Sequence, residues 1–226
     1  MVFALNKKPG GPSMARAKTG RDVAARLDRN PLLKRARVEG ADIFVARDFL
    51  NDADCAMLIG LIDKGRRPST LLSQSSDPNF RTSESCDLDR WAPAVRAIDE
   101  RIATLLGIQP EYGETMQGQR YAVGQQFRPH YDWFHENEAY WPAMRACGGQ
   151  RTWTAMIYLN EVEEGGATWF PNAGIRVAPK RGTLLTWNNM AADGSPNSLT
   201  LHEGTAVVAG TKYVVTKWFR ENRWLN

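Results

Sequence analysis

Residues 198–220, SLTLHEGTAVVAGTKYVVTKWFR, decide the fold class. Short runs rich in Val, Thr and aromatic residues are separated here by glycines, which is typical of antiparallel strands joined by turns. The same pattern of short strand-like runs separated by turn residues begins at Glu114. It predicts strands over Thr115–Val123, Phe127–Phe134, Thr152–Asn160, Thr168–Phe170, Gly182–Asn188, Ser198–His202, Ala206–Val208 and Lys212–Arg220. Strands at this spacing indicate an antiparallel sandwich or barrel.

The last predicted strand carries polar side chains on a face that should be apolar. Period-2 counting places five residues on this face: Lys212, Val214, Thr216, Trp218 and Arg220. Burying an ammonium group is costly unless an anion meets it. If this face points inward, Lys212 is predicted to bind a ligand that carries a carboxylate. The alternative is that the polar face is the outer one.

Two of the three histidines are placed to hold a metal ion. On a strand, His130 and Asp132 in His130-Tyr131-Asp132 would leave the same face, about 6.6 Å apart at Cα. His202, on a distant strand, would complete a set of two imidazoles and one carboxylate, which leaves open positions on iron(II). A zinc hydrolase or a cupin-like metal site fits the same ligands. His135, in a polar stretch with Glu136, is taken as a surface residue.

Composition favours one globular domain. The chain has 226 residues, of which 42% are hydrophobic, and no apolar run approaches the length that spans a membrane. The apolar stretch at the start is too short for a secretory signal. The three cysteines form no C-x-x-C pair, which favours a reducing compartment. We therefore expect a soluble, cytoplasmic protein.

The positive charge is concentrated at the start of the chain. Residues 1–40 carry ten Lys or Arg and three Asp or Glu, whereas the remainder carries 19 basic and 22 acidic residues. The rest of the chain is therefore slightly acidic, which argues against nucleic acid as a partner. Residues 1–19 are predicted to be a flexible basic tail.

Residues 20–112 are predicted to form a helical support region, and residues 113–226 the catalytic core. The first helix is predicted over Arg21–Arg29, and the second begins near Asn51, which is an acceptable N-cap. The third is predicted over Ala92–Leu106, and Gly107 ends it. A short apolar strand is predicted at Asp42–Ala46. We expect residues 20–226 to fold as one domain.

Four sequence blocks together resemble the prolyl 4-hydroxylase family of Fe(II)/2-oxoglutarate-dependent dioxygenases. They are QRYAVGQQFRPHYDWF (119–134), GGQRTWTAMIYLNEVEEGGATWFPN (148–172), APKRGTLLTW (178–187) and SLTLHEGTAVVAGTKYVVTKWFR (198–220). The resemblance implies a mainly β fold, in which a double-stranded β-helix (jelly roll, cupin-like) is braced by N-terminal helices. It spans about Arg81 to Trp224.

Carried over by position, the resemblance implies specific roles. His130, Asp132 and His202 would ligate iron, with no catalytic residue beyond these ligands. Three residues would bind the cosubstrate: Lys212 at the distal carboxylate, with Tyr121 and Thr168 beside it. Five residues match peptide-substrate contacts: Arg81, Glu114, Arg151, Trp218 and Arg220. The chain departs from the family pattern at Thr205-Ala206, Tyr213 and Trp187.

The implied reaction is hydroxylation of a prolyl residue in a peptide or protein, with release of succinate and CO2. Fe(II), 2-oxoglutarate and O2 would take part, with ascorbate as a further cofactor. Two alternatives stay open. One is oxidation of a free amino acid or small metabolite. The other, from a different class, is a non-catalytic metal-binding or sensing module.

Overall fold

The computed structural model describes residues 10–71 and 77–224, and strands dominate its second half. These strands are β1 (Leu33–Arg35), β2 (Ile43–Ala46), β3 (Arg67–Pro68), β4 (Glu84–Asp87), β5 (Gln117–Tyr121), β6 (Phe127–His130), β7 (Arg151–Tyr158), β8 (Glu164–Gly165), β9 (Thr168–Phe170), β10 (Ile175–Val177), β11 (Leu184–Asn188), β12 (His202–Gly204), β13 (Val207–Ala209) and β14 (Lys212–Arg220). The helices are α1 (Met14–Asp28), α2 (Asp52–Gly65), α3 (Pro93–Leu106) and α4 (Trp141–Ala146). The predicted bounds of β9 and β14 are confirmed.

Two antiparallel sheets form the core. The larger has the order β1-β2-β11-β7-β14-β5-β4-β3, and the smaller has the order β10-β9-β12-β6. An apolar cluster joins them, with Tyr158 and Trp187 from the larger sheet and Phe170 from the smaller one. This arrangement confirms the mainly β, jelly-roll prediction.

The helices cover the opposite face of the larger sheet. Alternation along β7 separates the two faces, because side chains two residues apart share a side. Trp153 and Ile157 join the helix-facing cluster, whereas Met156 and Tyr158 join the cluster between the sheets. Each fully buried large side chain contributes about 1.5–3 kcal/mol. The predicted bracing role of the helices is confirmed.

Predicted helix ends agree with the structure at two places. Asn51 caps α2, where its side chain accepts a hydrogen bond from the Asp54 backbone N–H. Gly107 ends α3 in the left-handed conformation, at φ 72°. A residue with a side chain is strained at that φ, so glycine is the expected residue there.

Helix α1 begins earlier than predicted. The sequence suggested a flexible tail over 1–19, but the helix starts at Met14 behind a Ser13 cap. Arg16 is 7% exposed, so this residue, which the sequence assigned to the solvated tail, packs inside the fold. The tail prediction is therefore wrong from residue 14 onward. Its residues 1–9 lie outside the described part of the chain.

Arg16 ties α1 to the second half of the chain. Its guanidinium lies 3.3 Å from a carboxylate oxygen of Glu136 and 3.3 Å from one of Glu221, and it donates to the Gly194 carbonyl. Glu221 in turn accepts from the backbone N–H of Gln150. A helix outside the sheets thus braces segments at the end of the larger sheet where β7 begins and where β11 and β14 end.

One predicted strand is wrong. Ser198–Thr200 forms a short 3-10 helix, and β12 begins at His202. The Asn197 side chain accepts from the Leu199 N–H and starts this turn, because Asn competes well for nearby backbone donors. In the described residues, no helix has both the length and the apolar character to cross a membrane.

Candidate active site

Three side chains of the smaller sheet and its loop meet at one point. The Nε2 atoms of His130 and His202 each lie 3.9 Å from Oδ1 of Asp132. All three potential ligand atoms lie within 4.8 Å of one another. The two histidines are directly opposed in the pairing of β6 with β12, which explains how distant residues converge. We call His130, Asp132 and His202 the triad.

Hydrogen bonds direct one nitrogen of each imidazole toward the shared point. Nδ1 of His130 lies 2.8 Å from the Arg128 carbonyl, and Nδ1 of His202 lies 2.9 Å from the Thr200 carbonyl. A carbonyl can only accept, so each Nδ1 carries the hydrogen. Each Nε2 therefore keeps a lone pair for a metal ion, as metal-binding histidines require.

The charge states also suit a metal ion. Burial and the neighbouring His202 together lower the pKa of His130 to about 3, so the His130 imidazole is neutral at pH 7. Burial alone would raise the pKa of Asp132. His202, His130 and Arg151 outweigh that effect and hold the Asp132 pKa below its usual value. Two imidazoles and one carboxylate are a donor set that fits iron(II).

Asp132 differs from the prediction in its local structure. Strand β6 ends at His130, and Asp132 lies in the bend that follows. A hydrogen bond from Thr154 Oγ to Asp132 Oδ2, 2.7 Å long, holds the carboxylate there. The sequence interpretation missed Thr154, although period 2 along the predicted strand Thr152–Asn160 places it on the same face as Met156 and Tyr158.

Lys212 is buried in the same pocket and has no anion beside it. It is 2% exposed and opens β14, opposite Tyr121 on β5. Its Nζ lies 5.0 Å from the Tyr121 ring and 5.6 Å from the Tyr158 ring. Within residues 10–71 and 77–224, no carboxylate pairs with it. Burial lowers the pKa of Lys212 to about 7. The inward-facing lysine prediction is confirmed.

The two predicted hydroxyl residues stand near Lys212. Tyr121 is 3% exposed and donates to Gln119 Oε1. Thr168 is 2% exposed and accepts from the Tyr158 hydroxyl at 2.6 Å. Because Thr168 uses a lone pair for Tyr158, its own hydrogen can be donated to another acceptor.

One pocket contains all of these groups. Both sheets and the triad contribute to its wall, as do residues that the sequence interpretation did not select: Gln119, Phe127, Met156, Trp187, Gly204 and Thr216. Phe127 stacks on His130 with ring centroids 3.5 Å apart, and Trp187 meets the edge of His202 at 4.8 Å. These rings give the triad an apolar wall. His135 lies outside the triad and packs against Trp133.

Arg81 borders this pocket. Its guanidinium stacks 4.7 Å from the Phe127 ring and donates to Gln117 Oε1 at 2.8 Å. It also donates to Ser83 Oγ. Burial lowers the pKa of Arg81. Since the partners are neutral, a substrate oxygen acceptor would meet a largely uncompensated cation.

The other four predicted substrate contacts form one network. Glu114 binds Arg151 through two hydrogen bonds of 2.6 and 2.7 Å, and Arg220 Nε lies 2.5 Å from Glu114 Oε1. Arg151 stacks on Trp218 at 4.0 Å. The Glu114 and Arg220 side chains are 11% and 3% exposed. Their contact with a substrate stays a prediction, and in this structure Glu114 accepts from both Arg151 and Arg220.

Comparison with known protein families matches residues 116–220 to the 2OG-Fe(II) oxygenase superfamily. Probable prolyl 4-hydroxylase 10 of Arabidopsis thaliana is 33% identical over 204 residues, which cover 80% of this chain and 69% of that protein. Prolyl 4-hydroxylase subunit alpha-1 of Mus musculus is 33% identical over 180 residues, covering 77% of this chain and 33% of the mouse subunit.

Solved structures give the same result at the level of the fold. The viral collagen prolyl hydroxylase vCPH from Paramecium Bursaria Chlorella virus-1, as a 2OG complex, has a TM-score of 0.63 and 26% identity. The match covers 79% of this chain and 95% of the viral one. A prolyl hydroxylase of Trichoplax adhaerens, in complex with a peptide fragment, has a TM-score of 0.60 at 16% identity, covering 91% and 90% of the two chains.

Proposed function

We propose, from the premise that this chain belongs to the prolyl 4-hydroxylase family of 2OG-Fe(II) oxygenases, that it hydroxylates prolyl residues in a peptide or protein. The reaction would use Fe(II), 2-oxoglutarate and O2 and release succinate and CO2. The relatives that match most of this chain are named as prolyl 4-hydroxylases. One structural neighbour was solved with 2OG, and another with a peptide fragment.

One observation carries the proposal: the pocket that holds the triad also holds a buried lysine without a counter-ion. The triad supplies three ligands for a divalent metal. Lys212 supplies a positive charge at a separate position in the same pocket. A metal and a remote cation together suit a dicarboxylate with a keto acid at one end. 2-Oxoglutarate has this chemistry.

In the proposed mechanism, the residues of this chain bind, orient and exclude water. His130, Asp132 and His202 would hold iron(II). Lys212 would pair with the distal carboxylate of 2-oxoglutarate, and the Thr168 hydroxyl would donate beside it. The Tyr121 hydroxyl would donate there by turning its single hydrogen away from Gln119. The bound iron, with 2-oxoglutarate and O2, supplies the oxidising power for hydroxylation of a C–H bond. The aromatic walls keep this chemistry away from water.

The substrate side of the pocket suits a polypeptide backbone. Arg81 and Arg151 offer guanidinium donors, and the Trp218 indole, stacked beneath Arg151, offers an apolar surface. Peptide carbonyl oxygens are acceptors for such donors, and a proline ring packs well on an aromatic face. Glu114 and Arg220 would keep Arg151 in place. This arrangement favours peptides over free amino acids.

A substrate panel tests the proposal. The protein would be incubated with Fe(II), 2-oxoglutarate and ascorbate, and then with proline peptides or free amino acids. We expect succinate release and a mass gain of one oxygen atom with peptides, and loss of both with Asp132→Ala. Activity on free amino acids alone would replace the peptide substrate with a small one. Equal turnover by Asp132→Ala and the wild type would overturn the enzymatic proposal.

We also propose that the protein works in a reducing, cytoplasmic compartment. Cys55, Cys86 and Cys147 are all free thiols. Iron(II) is maintained in the same kind of environment. Cell fractionation, with thiol labelling of the native protein, would test this placement. Labelled thiols in a cytoplasmic fraction would support it, and recovery in an oxidised form outside the cytoplasm would contradict it.

A further inference from the structure

The two oxygens of the Asp132 carboxylate have different surroundings. Oδ1 lies 3.9 Å from the Nε2 atoms of both His130 and His202. Oδ2 accepts the 2.7 Å hydrogen bond from Thr154. A donor on one oxygen makes that oxygen a weaker metal ligand. The Thr154 hydroxyl thus distinguishes an oxygen that faces the shared point from one that faces the protein.

A second hydrogen bond sets the direction of the first. The Asn189 side-chain amide donates to Thr154 Oγ at 2.9 Å. Because the hydroxyl oxygen then accepts from Asn189, its single hydrogen points to Asp132. Thr154 and Asn189 are both 0% exposed, so no water competes for these groups. The Asn189 backbone is itself fixed by a 2.7 Å bond from its N–H to the Thr152 carbonyl.

We infer that Thr154 and Asn189 are positioning residues that hold Asp132 as a one-oxygen ligand of the metal. This inference rests on the proposed function. If both carboxylate oxygens turned toward the ion, the carboxylate would occupy a position that 2-oxoglutarate and O2 need. The relay from Asn189 through Thr154 to Asp132 keeps that position open. Both residues act through Asp132 and touch no substrate.

A set of threonine variants tests the first link. Thr154→Val keeps the shape and removes the hydroxyl, and Thr154→Ser restores it. Affinity for Mn(II), measured from free Mn(II) by electron paramagnetic resonance, is expected to fall about 10- to 100-fold in Thr154→Val, the usual effect of losing such a partner. Thr154→Ser should stay within a few-fold of the wild type. Urea unfolding of each variant would show that the comparison is made on folded protein.

Thr186→Val is the matched control. Thr186 is 0% exposed on the neighbouring strand, and its hydroxyl donates to the Thr154 carbonyl at 2.7 Å, not to Asp132. The same atoms are removed from an equally buried site. Its Mn(II) affinity should therefore match the wild type. A loss as large as that of Thr154→Val would overturn the inference, because burial alone would explain both.

Asn189→Ala tests the second link in two backgrounds. It should weaken Mn(II) binding in the wild type and have no further effect in Thr154→Val, since the amide acts through the missing hydroxyl. Equal losses in both backgrounds would overturn the relay. Failure of the wild type to bind Mn(II) would instead contradict the proposed metal site. Wild-type binding with unchanged Thr154→Val affinity would contradict this inference alone.

Discussion

Strand β14 buries one lysine on each of its faces, and the two differ in their partners. Lys217, 0% exposed, faces the helices, and its Nζ lies 2.6 Å from Oδ1 of Asp99 on α3. Lys212, 2% exposed, faces the pocket beside two aromatic rings, and no carboxylate among the described residues pairs with it. The chain thus neutralises one buried cation and leaves the other without a counter-ion.

The difference separates a structural charge from a functional one. A buried ion pair needs both partners, because each charge alone is costly to keep away from water. Lys217 and Asp99 meet that condition within the chain and join α3 to the sheet. In the proposed function, Lys212 would meet it when the carboxylate of the cosubstrate binds. The same residue type, five positions apart, would therefore contribute to the fold at one site and to ligand binding at the other.

The largest expected effect comes from breaking the buried ion pair between Lys217 and Asp99. Asp99→Ala leaves Lys217 buried and unpaired, and should lower the free energy of unfolding by about 3–5 kcal/mol. Urea denaturation would measure it. Binding of 2-oxoglutarate to the protein that remains folded should be unchanged. A loss below about 1 kcal/mol would mean that Lys217 is hydrated or neutral, and that the two lysines are alike.

Removing the unpaired lysine should give the opposite pattern. Lys212→Met keeps an unbranched side chain without the charge, so unfolding should be no easier than in the wild type. Affinity of the Mn(II)-loaded protein for 2-oxoglutarate should fall by about 1.5–3 kcal/mol, roughly 10- to 150-fold, the contribution of hydrogen bonds to a charged group. Calorimetric titration would measure the affinity. Unchanged affinity together with a large loss of stability would mean that Lys212 stabilises the fold and does not bind the cosubstrate.

The pH dependence of cosubstrate binding should show the same contrast. The pKa of Lys212 is about 7 without a ligand, and a bound carboxylate raises it. Below pH 7 the ammonium group is already present. Above pH 7 binding must take up a proton, so affinity should fall toward tenfold per pH unit, about 1.4 kcal/mol. Burial raises the pKa values of Tyr121 and Tyr158, so both stay protonated in this range.

Calorimetry in buffers of different ionisation enthalpy would count these protons. Uptake approaching one proton is expected at pH 8 and almost none at pH 6, with Mn(II) saturating throughout. Lys212→Met is the control and should take up none in either buffer series. Equal proton uptake by the wild type and Lys212→Met would assign the titration to another group.

The smallest expected effect comes from an exposed ion pair, which serves as a reference for the buried pair of Lys217 and Asp99. Lys18 and Asp22 lie 2.6 Å apart, the same distance as Lys217 and Asp99, but their side chains are 72% and 61% exposed. Asp22→Ala should cost about 0.3–0.5 kcal/mol, because water and salt already screen the pair. Urea denaturation under the conditions used for Asp99→Ala would measure it. Equal losses in the two variants would remove burial as the cause of their difference.

The sequence predicted the parts of the site that follow from local periodicity. Alternation along Lys212–Arg220 placed Lys212 inward, and the spacing of His130 and Asp132 paired them at one point. The other face of the same strand shows the limit. Lys217 lies on that face, and no local pattern identifies its partner, because Asp99 lies on α3, more than one hundred positions earlier.

Long-range polar contacts account for most of what sequence reasoning missed. Arg16 looked like part of a solvated basic tail, since its acidic partners are far along the chain. Glu114 and Arg220 were predicted as substrate contacts, and the structure shows Glu114 accepting hydrogen bonds from both Arg151 and Arg220. Thr154 carried a readable signal, a hydroxyl on an inward face. Its acceptor became identifiable once the bend at Asp132 was known.

The brace formed by Arg16 means that the homologous stretch is not a separable module. Residues 116–220 match the oxygenase superfamily, yet Arg16 contacts Glu136 inside that stretch and Glu221 just beyond it. Excising the stretch would separate Glu136 from its counter-charge on Arg16 and expose the apolar side of the sheet that the helices cover. A truncated expression fragment that begins after α1 would therefore be prone to aggregate, however well its borders follow the recognised homology.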